Sequence, residues 1–311
     1  MNENNMTVAE LFKAWIEEKR KTITKSTEDL YTFYYSKYLE CKFGQRKVNE
    51  IMSEEWSAFE SALPNEKGAS GRRISKVSLR HAVQIYHSLF NFGKTEFGLN
   101  DPTGTIVLVP TGKDTLTVFS HDEVNKMLIA FKPFDIHHIG IMICLHTGIT
   151  LGEICGTRWG DVDIENKMLS IRRVLVRENA VKDGRKTVVL KTNDLKGRAV
   201  RDIPIPTWIA DQLEALKSVH RDDEYVLVGP LGGIDPTNFR YHYKEFLKQA
   251  GVSNRKINAM RHTFAVTCIE KGVDLKTLSE LLGHSNMQIT IKMYLNTDLE
   301  SVREKLDRLY D

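Results

Sequence analysis

The chain has 311 residues, 41% of them hydrophobic, with 44 Lys and Arg against 41 Asp and Glu; that is length for two domains with ordinary cores and a net charge too small to select a partner by itself. No apolar run approaches a membrane span, and the opening MNENNMTVAE is too polar for a secretory signal, so a cytoplasmic protein is expected. Cys41, Cys144, Cys155 and Cys268 are scattered without a CxxC pair, which argues for reduced thiols and against a disulfide framework or a metal site.

Thr7 with Glu10 forms a capping box that opens an amphipathic helix to about Arg20. Ser26 begins a second predicted helix, STEDLYTFYYSKYLE, and Ser53 caps a third, SEEWSAFESAL. The aromatic run from Tyr31 to Tyr38 is read as core packing of a small helical domain rather than a base-stacking surface. A fourth helix runs from about Ser75 to Phe97, with Leu79, Val83, Tyr86 and Phe90 near helical spacing, and Gly98 and Pro102 stop it. Residues 1–103 are therefore expected to form a helical domain, and 104–119, with Gly104, Pro110 and Gly112, a linker.

Ser120 with Glu123 is a second capping box and starts a domain over 120–311. Helices near 120–131 and 136–146 precede three short predicted strands, MLSIRRVLV, KTVVLKT and AVRDIPIP, joined by KDGR and NDLKGR turns. Helices return from about Thr207, with a brief strand at 225–229. The fold class expected is mainly α with a small antiparallel β-sheet, α+β, in two domains. Charge is unevenly spread. Residues 71–80, GRRISKVSLR, carry Arg72, Arg73, Lys76 and Arg80 and no acid, and residues 171–201 carry ten Lys or Arg against three Asp or Glu. Such stretches serve as solvated faces, or as grips on a phosphate backbone.

The C-terminal stretch INAMRHTFAVTCIEKGVDLKTLSELLGHSNMQITIKMY closely resembles the signature of the tyrosine recombinases, the phage integrase family. HTGITLGEICGTRWGDVDIENKMLSI and VVLKTNDLKGRAVRDIPIP resemble two further segments of that family, and WIEEK…STEDLY…FG…VNEI resembles its core-binding domain. The resemblance covers nearly the whole chain in the family's order. It implies a two-domain DNA clamp, and a tyrosine that attacks a scissile phosphate to give a 3′-phosphotyrosyl link and a 5′-hydroxyl. Rejoining needs no cofactor, neither ATP nor metal. The partners implied are double-stranded DNA, further copies of the chain as a dimer or tetramer on DNA, and an accessory excisionase; no membrane is involved. No arm-binding domain is expected ahead of Thr7. The final helix, TDLESVREKLDRLY, resembles a segment that docks on a neighbouring protomer, and a self-packed terminus is the other reading.

Carried over by position, the resemblance makes Tyr294 the nucleophile, Arg261 a phosphate-clamping arginine and His284 a phosphate contact. Lys191 matches the hairpin lysine that protonates the departing oxygen, with Lys196 as the other register, and Glu153 supports the site. These residue types suit the chemistry. Charge builds on nonbridging oxygens during attack, and guanidinium forks and imidazole donors meet it. Arg72, Arg73, Lys76 and Arg80 stand where a long helix of the core-binding domain begins, and are expected to contact DNA. Two positions depart from the pattern: Thr150 stands where the family has an arginine, and Asn258 where it has a histidine. A short neutral hydroxyl cannot form a bidentate fork, and Arg158, eight residues on, lies too far to reach back. Two functions remain open on the residues: a recombinase or integrase of a mobile element with impaired cleavage, and an inactive relative that binds DNA as a regulator or architectural partner.

Overall fold

Thr7 sets the first helix, α1 (Val8–Arg20): its hydroxyl accepts the Glu10 N–H, and the Glu10 carboxylate accepts the Thr7 N–H at 2.9 Å. The computed structural model describes residues 5–66, 73–104, 116–182, 185–230 and 232–294. The chain divides into two units, Met1–Asp114 and Thr115–Asp311.

In the first unit, α1 buries Val8, Leu11, Phe12, Trp15 and Ile16. Helix α2 (Lys25–Tyr34) starts one turn-position earlier than expected, because extended Thr24, not Ser26, accepts the Thr27 N–H. A π-helical turn, Tyr35–Leu39, leads into α3 (Glu40–Phe43). Tyr34, Tyr35 and Tyr38 of the aromatic run are buried, and Tyr35 stacks on Phe12 with ring centroids 3.7 Å apart. Ser53 is the first residue of α4 (Ser53–Ala62) rather than its cap; Met52 precedes it with no side-chain hydrogen bond. Helix α5 (Lys76–Phe97) is capped by Ser75 and ends on Gly98 at φ 63°. It crosses α1 closely: a Cβ on Gly93 would stand 2.9 Å from Leu11. Most of the expected linker, residues 105–115, lies outside the described residues.

The second unit is built around α7 (Ile136–Thr147), which buries residues on all sides from His138 to Leu145. Asp135 caps it, accepting the N–H groups of His137 and His138. The capping box at Ser120 and Glu123 opens α6 (His121–Ala130) as expected. The remaining helices are α8 (Leu151–Gly156), α9 (Thr207–Lys217), α10 (Pro236–Gln249), α11 (Asn258–Glu270), α12 (Leu275–Leu282) and α13 (Met287–Tyr294).

The strands differ from the expected trio. MLSIRRVLV breaks at Arg172 into β2 (Met168–Ile171) and β3 (Arg173–Lys182), which join different sheets. β2 lies between β1 (Val162–Asp163) and β5 (Arg201–Pro204), all antiparallel, with Leu169 opposite Ile203. β3 pairs instead with β4 (Arg185–Asp194) in a hairpin, with Val176 opposite Lys191. The physical reason lies in side chains that alternate correctly but bond differently: Arg172 turns to Asp202 of β5, and Arg173 turns inward to an ion pair with buried Asp161. The strand expected at 225–229 reduces to β6 (Val228–Gly229) with β7 (Gly232–Gly233), and Tyr225 bridges Arg158 instead. Mainly helical structure with small antiparallel sheets is the architecture that results.

Candidate active site

Two left-handed glycines set the site. α7 ends on Gly148 at φ 67° and α12 on Gly283 at φ 69°, so both helices terminate abruptly with their last carbonyls pointing outward. Arg261, in the first turns of α11, closes on these ends: Nη1 donates to Gly148 O at 2.8 Å and Nη2 to Leu282 O at 2.7 Å. Carbonyls at a helix C-terminus carry partial negative charge and suit a guanidinium. No carboxylate pairs with Arg261 among the described residues. Burial lowers its pKa, Glu153 and Tyr294 oppose that, and Arg201 adds to it; a guanidinium starts high enough to remain charged.

Thr150 is not an idle remnant at the start of α8. Its N–H donates to Glu153 Oε2 at 2.6 Å, and its hydroxyl accepts the Glu153 N–H at 3.4 Å, a complete capping box. Glu153 is buried and meets a cation that no sequence motif singles out. Arg201 of β5 forks onto the carboxylate, Nη1 to Oε1 at 2.7 Å and Nη2 to Oε2 at 3.2 Å. Its Nε donates to Leu281 O at 2.6 Å, and Nη1 also to Ala199 O at 2.9 Å. Burial pushes the Glu153 carboxyl up; the Arg201 hydrogen bonds and charge, the Thr150 N–H and Arg261 more than reverse this, and it sits below the usual range. Gly283 makes room for Arg201, since a Cβ there would stand 2.8 Å from Nη1. The signal for Arg201 in the sequence is slight: a basic residue opening a strand, with its partner 48 positions away. Arg158 stays apart from this cluster, its guanidinium 5.3 Å over the Tyr225 ring.

Past Gly283, His284 accepts or donates at Nδ1 to the fully buried Thr290 hydroxyl, 2.7 Å away, and its N–H donates to Ser279 O. Burial first, then the Arg261 and Arg201 charges, lower its pKa to about 4. The ring is neutral at pH 7, and a Thr290 hydroxyl that donates to Nδ1 leaves Nε2–H as a donor. Tyr294 ends α13, half-buried against the Ala265, Leu278 and Leu282 cluster. Its hydroxyl lies 3.0 Å from His262 Nδ1. Burial raises the phenol pKa and the Arg261 charge opposes that. Arg261 thus acts electrostatically on both His284 and Tyr294.

The other expected residues are not joined to this group. Lys191 is more than half exposed on β4, with Nζ 3.7 Å from Glu178 Oε2, and no ion pair or hydrogen bond links it to Arg261, His284 or Tyr294 among the described residues. Lys196 is exposed ahead of the short turn Gly197–Ala199. Asn258 opens α11 and is exposed. In the first unit, Arg73 and Lys76 are exposed around the α5 N-terminus and Arg80 is half-buried one turn on; Arg72 lies outside the described residues.

A helical unit followed by a mainly helical unit, in which arginine, histidine and tyrosine converge on helix ends, defines a recombinase-like class. Comparison with known proteins agrees. Residues 117–300, more than half of the chain, match the model of the phage integrase family. A tyrosine recombinase XerC-like protein of Caldanaerobacter subterraneus subsp. tengcongensis is 27% identical, over 99% of this chain and 83% of that protein. Tyrosine recombinase XerA of Thermococcus kodakarensis is 26% identical, over 99% of this chain and 96% of its own. Among solved structures, the Tn1549 transposon integrase in complex with a circular intermediate DNA superposes with a TM-score of 0.79 at 17% identity, covering 98% of this chain and 99% of that one. The chain belongs to the phage integrase family of tyrosine recombinases. No helix among the described residues is long and apolar enough to cross a membrane.

Proposed function

We propose that this chain is a site-specific DNA recombinase or integrase of a mobile element, which breaks and rejoins strands through a 3′-phosphotyrosyl link at Tyr294. The observation that carries the reading is the placement of Arg261: held by carbonyls rather than carboxylates, it is electrostatically coupled to the phenol of Tyr294 and the imidazole of His284. A phosphate entering there meets a guanidinium fork and a neutral imidazole donor, both suited to charge on nonbridging oxygens. The phenol oxygen forms a bond to phosphorus as the bond to the 5′-oxygen breaks, and Lys191 supplies the proton that oxygen needs. To do so Lys191 exchanges Glu178 for the leaving group. The phosphodiester energy is kept in the tyrosyl ester, so rejoining is the same displacement in reverse and needs no nucleotide. Glu153 and Arg201 fix the frame, while Arg72, Arg73, Lys76 and Arg80 contact duplex DNA. Two or four copies assemble on the DNA, with an accessory excisionase as a further partner.

A second reading is favoured by one observation: Thr150 caps its own helix, and Arg201, which shares Glu153 with it, is neutralised by that carboxylate. Among the described residues the site then has one guanidinium, Arg261, without a carboxylate partner, and loss of an arginine aimed at a phosphoryl transition state costs about 10³–10⁵ in rate. Such a chain binds DNA as a regulator or architectural partner without cutting it. A duplex nicked beside the cleavage position, which traps the covalent product, separates the two. Covalent product that disappears in Tyr294→Phe supports the recombinase. No product from wild type, with product gained in Thr150→Arg, supports the binder.

A further inference from the structure

Attack by a tyrosine requires that its phenol proton be taken up as the oxygen–phosphorus bond forms. From the geometry we infer that His262 is the base that takes it, a catalytic residue additional to those already assigned; the inference rests on the recombinase reading. His262 Nδ1 lies 3.0 Å from the Tyr294 hydroxyl, with the ring centroids 5.8 Å apart. No other side chain hydrogen-bonds that hydroxyl among the described residues.

The two imidazoles of the site are differentiated by their surroundings, as acid and base partners in active sites are. His284 is committed at Nδ1 to Thr290, and burial, followed by the charges of Arg261 and Arg201, makes it a poor base and a good neutral donor. His262 faces the phenol instead. Burial, then Arg261, lowers its pKa, so its neutral ring presents a lone pair at pH 7. Asn258 lies one helical turn before it on α11, exposed and without basicity. Burial holds the Tyr294 proton on, and the adjacent Arg261 charge favours the phenolate once it leaves. The balance is complete. The Tyr294 proton passes to His262 Nδ1, the phenol oxygen bonds to phosphorus, and the bond to the 5′-oxygen breaks. That oxygen takes a proton from Lys191. On rejoining, the His262 imidazolium returns its proton to the departing phenol.

The test uses the full chain and a pool of end-labelled nicked duplexes with randomised flanks, from which wild-type covalent capture selects the substrate. Single-turnover formation of the phosphotyrosyl product is then followed with oxygen or sulfur at the 5′-bridging position, sulfur needing no protonation to leave. His262→Ala and His262→Gln are expected to slow capture by about 10²-fold or more on both substrates, the usual contribution of a general base, with duplex affinity and Tm kept. Lys191→Ala is expected to fail on oxygen and recover on sulfur. Added imidazole restores His262→Ala. Wild-type or faster capture by His262→Ala overturns the assignment, as does recovery of that variant on sulfur alone. Full activity in His262→Gln also overturns it, because glutamine can hold the phenol but cannot take its proton. If wild type captures nothing from the pool, the recombinase reading falls and the base goes with it, a result distinct from the others.

Discussion

Removing Arg201 should destabilise the second unit by an amount that depends on pH in a calculable way. Arg201→Met leaves the Glu153 carboxylate, 7% exposed, without the fork at 2.7 and 3.2 Å that holds it. Breaking a buried ion pair by removing one partner costs about 3–5 kcal/mol. The carboxylate has an escape, however, since it can take up a proton. From an ordinary Glu value of about 4.3 and about 1.36 kcal/mol per pH unit, protonation costs about 3.7 kcal/mol at pH 7 and about 1 kcal/mol at pH 5. The charge penalty is capped by those figures. Leu281 O and Ala199 O also lose donors, adding about 1–3 kcal/mol at either pH. The sign follows from linkage. The native Glu153 pKa is depressed, so the pair contributes stability above the unfolded value, lost as pH falls through the folded one; in the variant the folded pKa is raised, and lowering pH relieves the defect. Urea unfolding of wild type, Arg201→Met and Arg201→Met with Glu153→Gln at pH 7 and pH 5, with the second unit's transition assigned by hydrogen exchange, measures this. The Arg201→Met deficit should shrink by about 2–3 kcal/mol between pH 7 and pH 5, and the double variant should show no such pH dependence. Equal deficits at both pH values would refute the buried pair.

Gly283→Ala forces a left-handed alanine against Arg201, at a cost of about 1–3 kcal/mol that thermal unfolding reads, and should slow covalent capture while leaving duplex affinity alone. Thr150→Ala removes a helix cap and should cost about 1 kcal/mol; an unchanged Tm in calorimetry would show that the hydroxyl does not cap in solution. Replacing Arg73 and Lys76 with Ala should reduce the slope of log affinity against log salt by about 0.9 for each phosphate no longer neutralised, read by fluorescence anisotropy on duplex DNA. Lowering pH from about 6.5 towards the native His284 pKa of about 4 protonates the unfolded ring first, so wild type should lose more stability over that window than His284→Gln.

Local patterns were legible in the sequence because one or two residues decide them. Thr7 with Glu10, Ser120 with Glu123, and Gly98 after Phe97 behave as their types dictate. Thr150 with Glu153 has the same spacing, yet comparison with the family pattern presents it as a missing arginine and conceals the cap it is. Strand membership was less legible. The alternation of Leu169, Ile171 and Leu175 continues across Arg172, and only the pairings with Asp202 and Asp161 show that the chain changes sheet there. Long-range pairings were not legible at all. Nothing near Arg201 announces Glu153, and nothing in MRH announces that His262, rather than Asn258, meets the Tyr294 hydroxyl.

The two arginines share one support, and this bears on how the site is held. Arg201 takes Leu281 O and Arg261 takes Leu282 O, so consecutive carbonyls at the end of α12 are fixed by guanidinium groups arriving from β5 and α11. Immediately beyond lies Gly283, whose left-handed turn aims His284 and leads into α13 with Tyr294. The position of the imidazole and of the phenol therefore depends on charges that touch neither directly. Glu153 pairs directly with Arg201 and leaves it a structural pin, whereas Arg261, whose hydrogen bonds among the described residues go to carbonyl dipoles, feels Glu153 at longer range and has no carboxylate in direct contact. On the proposed reading, a phosphate arriving at Arg261 supplies the direct counter-anion that the fold withholds, and the gain in Coulomb energy is largest where burial has already excluded water. That asymmetry separates the guanidinium suited to bind substrate from the one suited to hold the frame, although both sit at the same helix end.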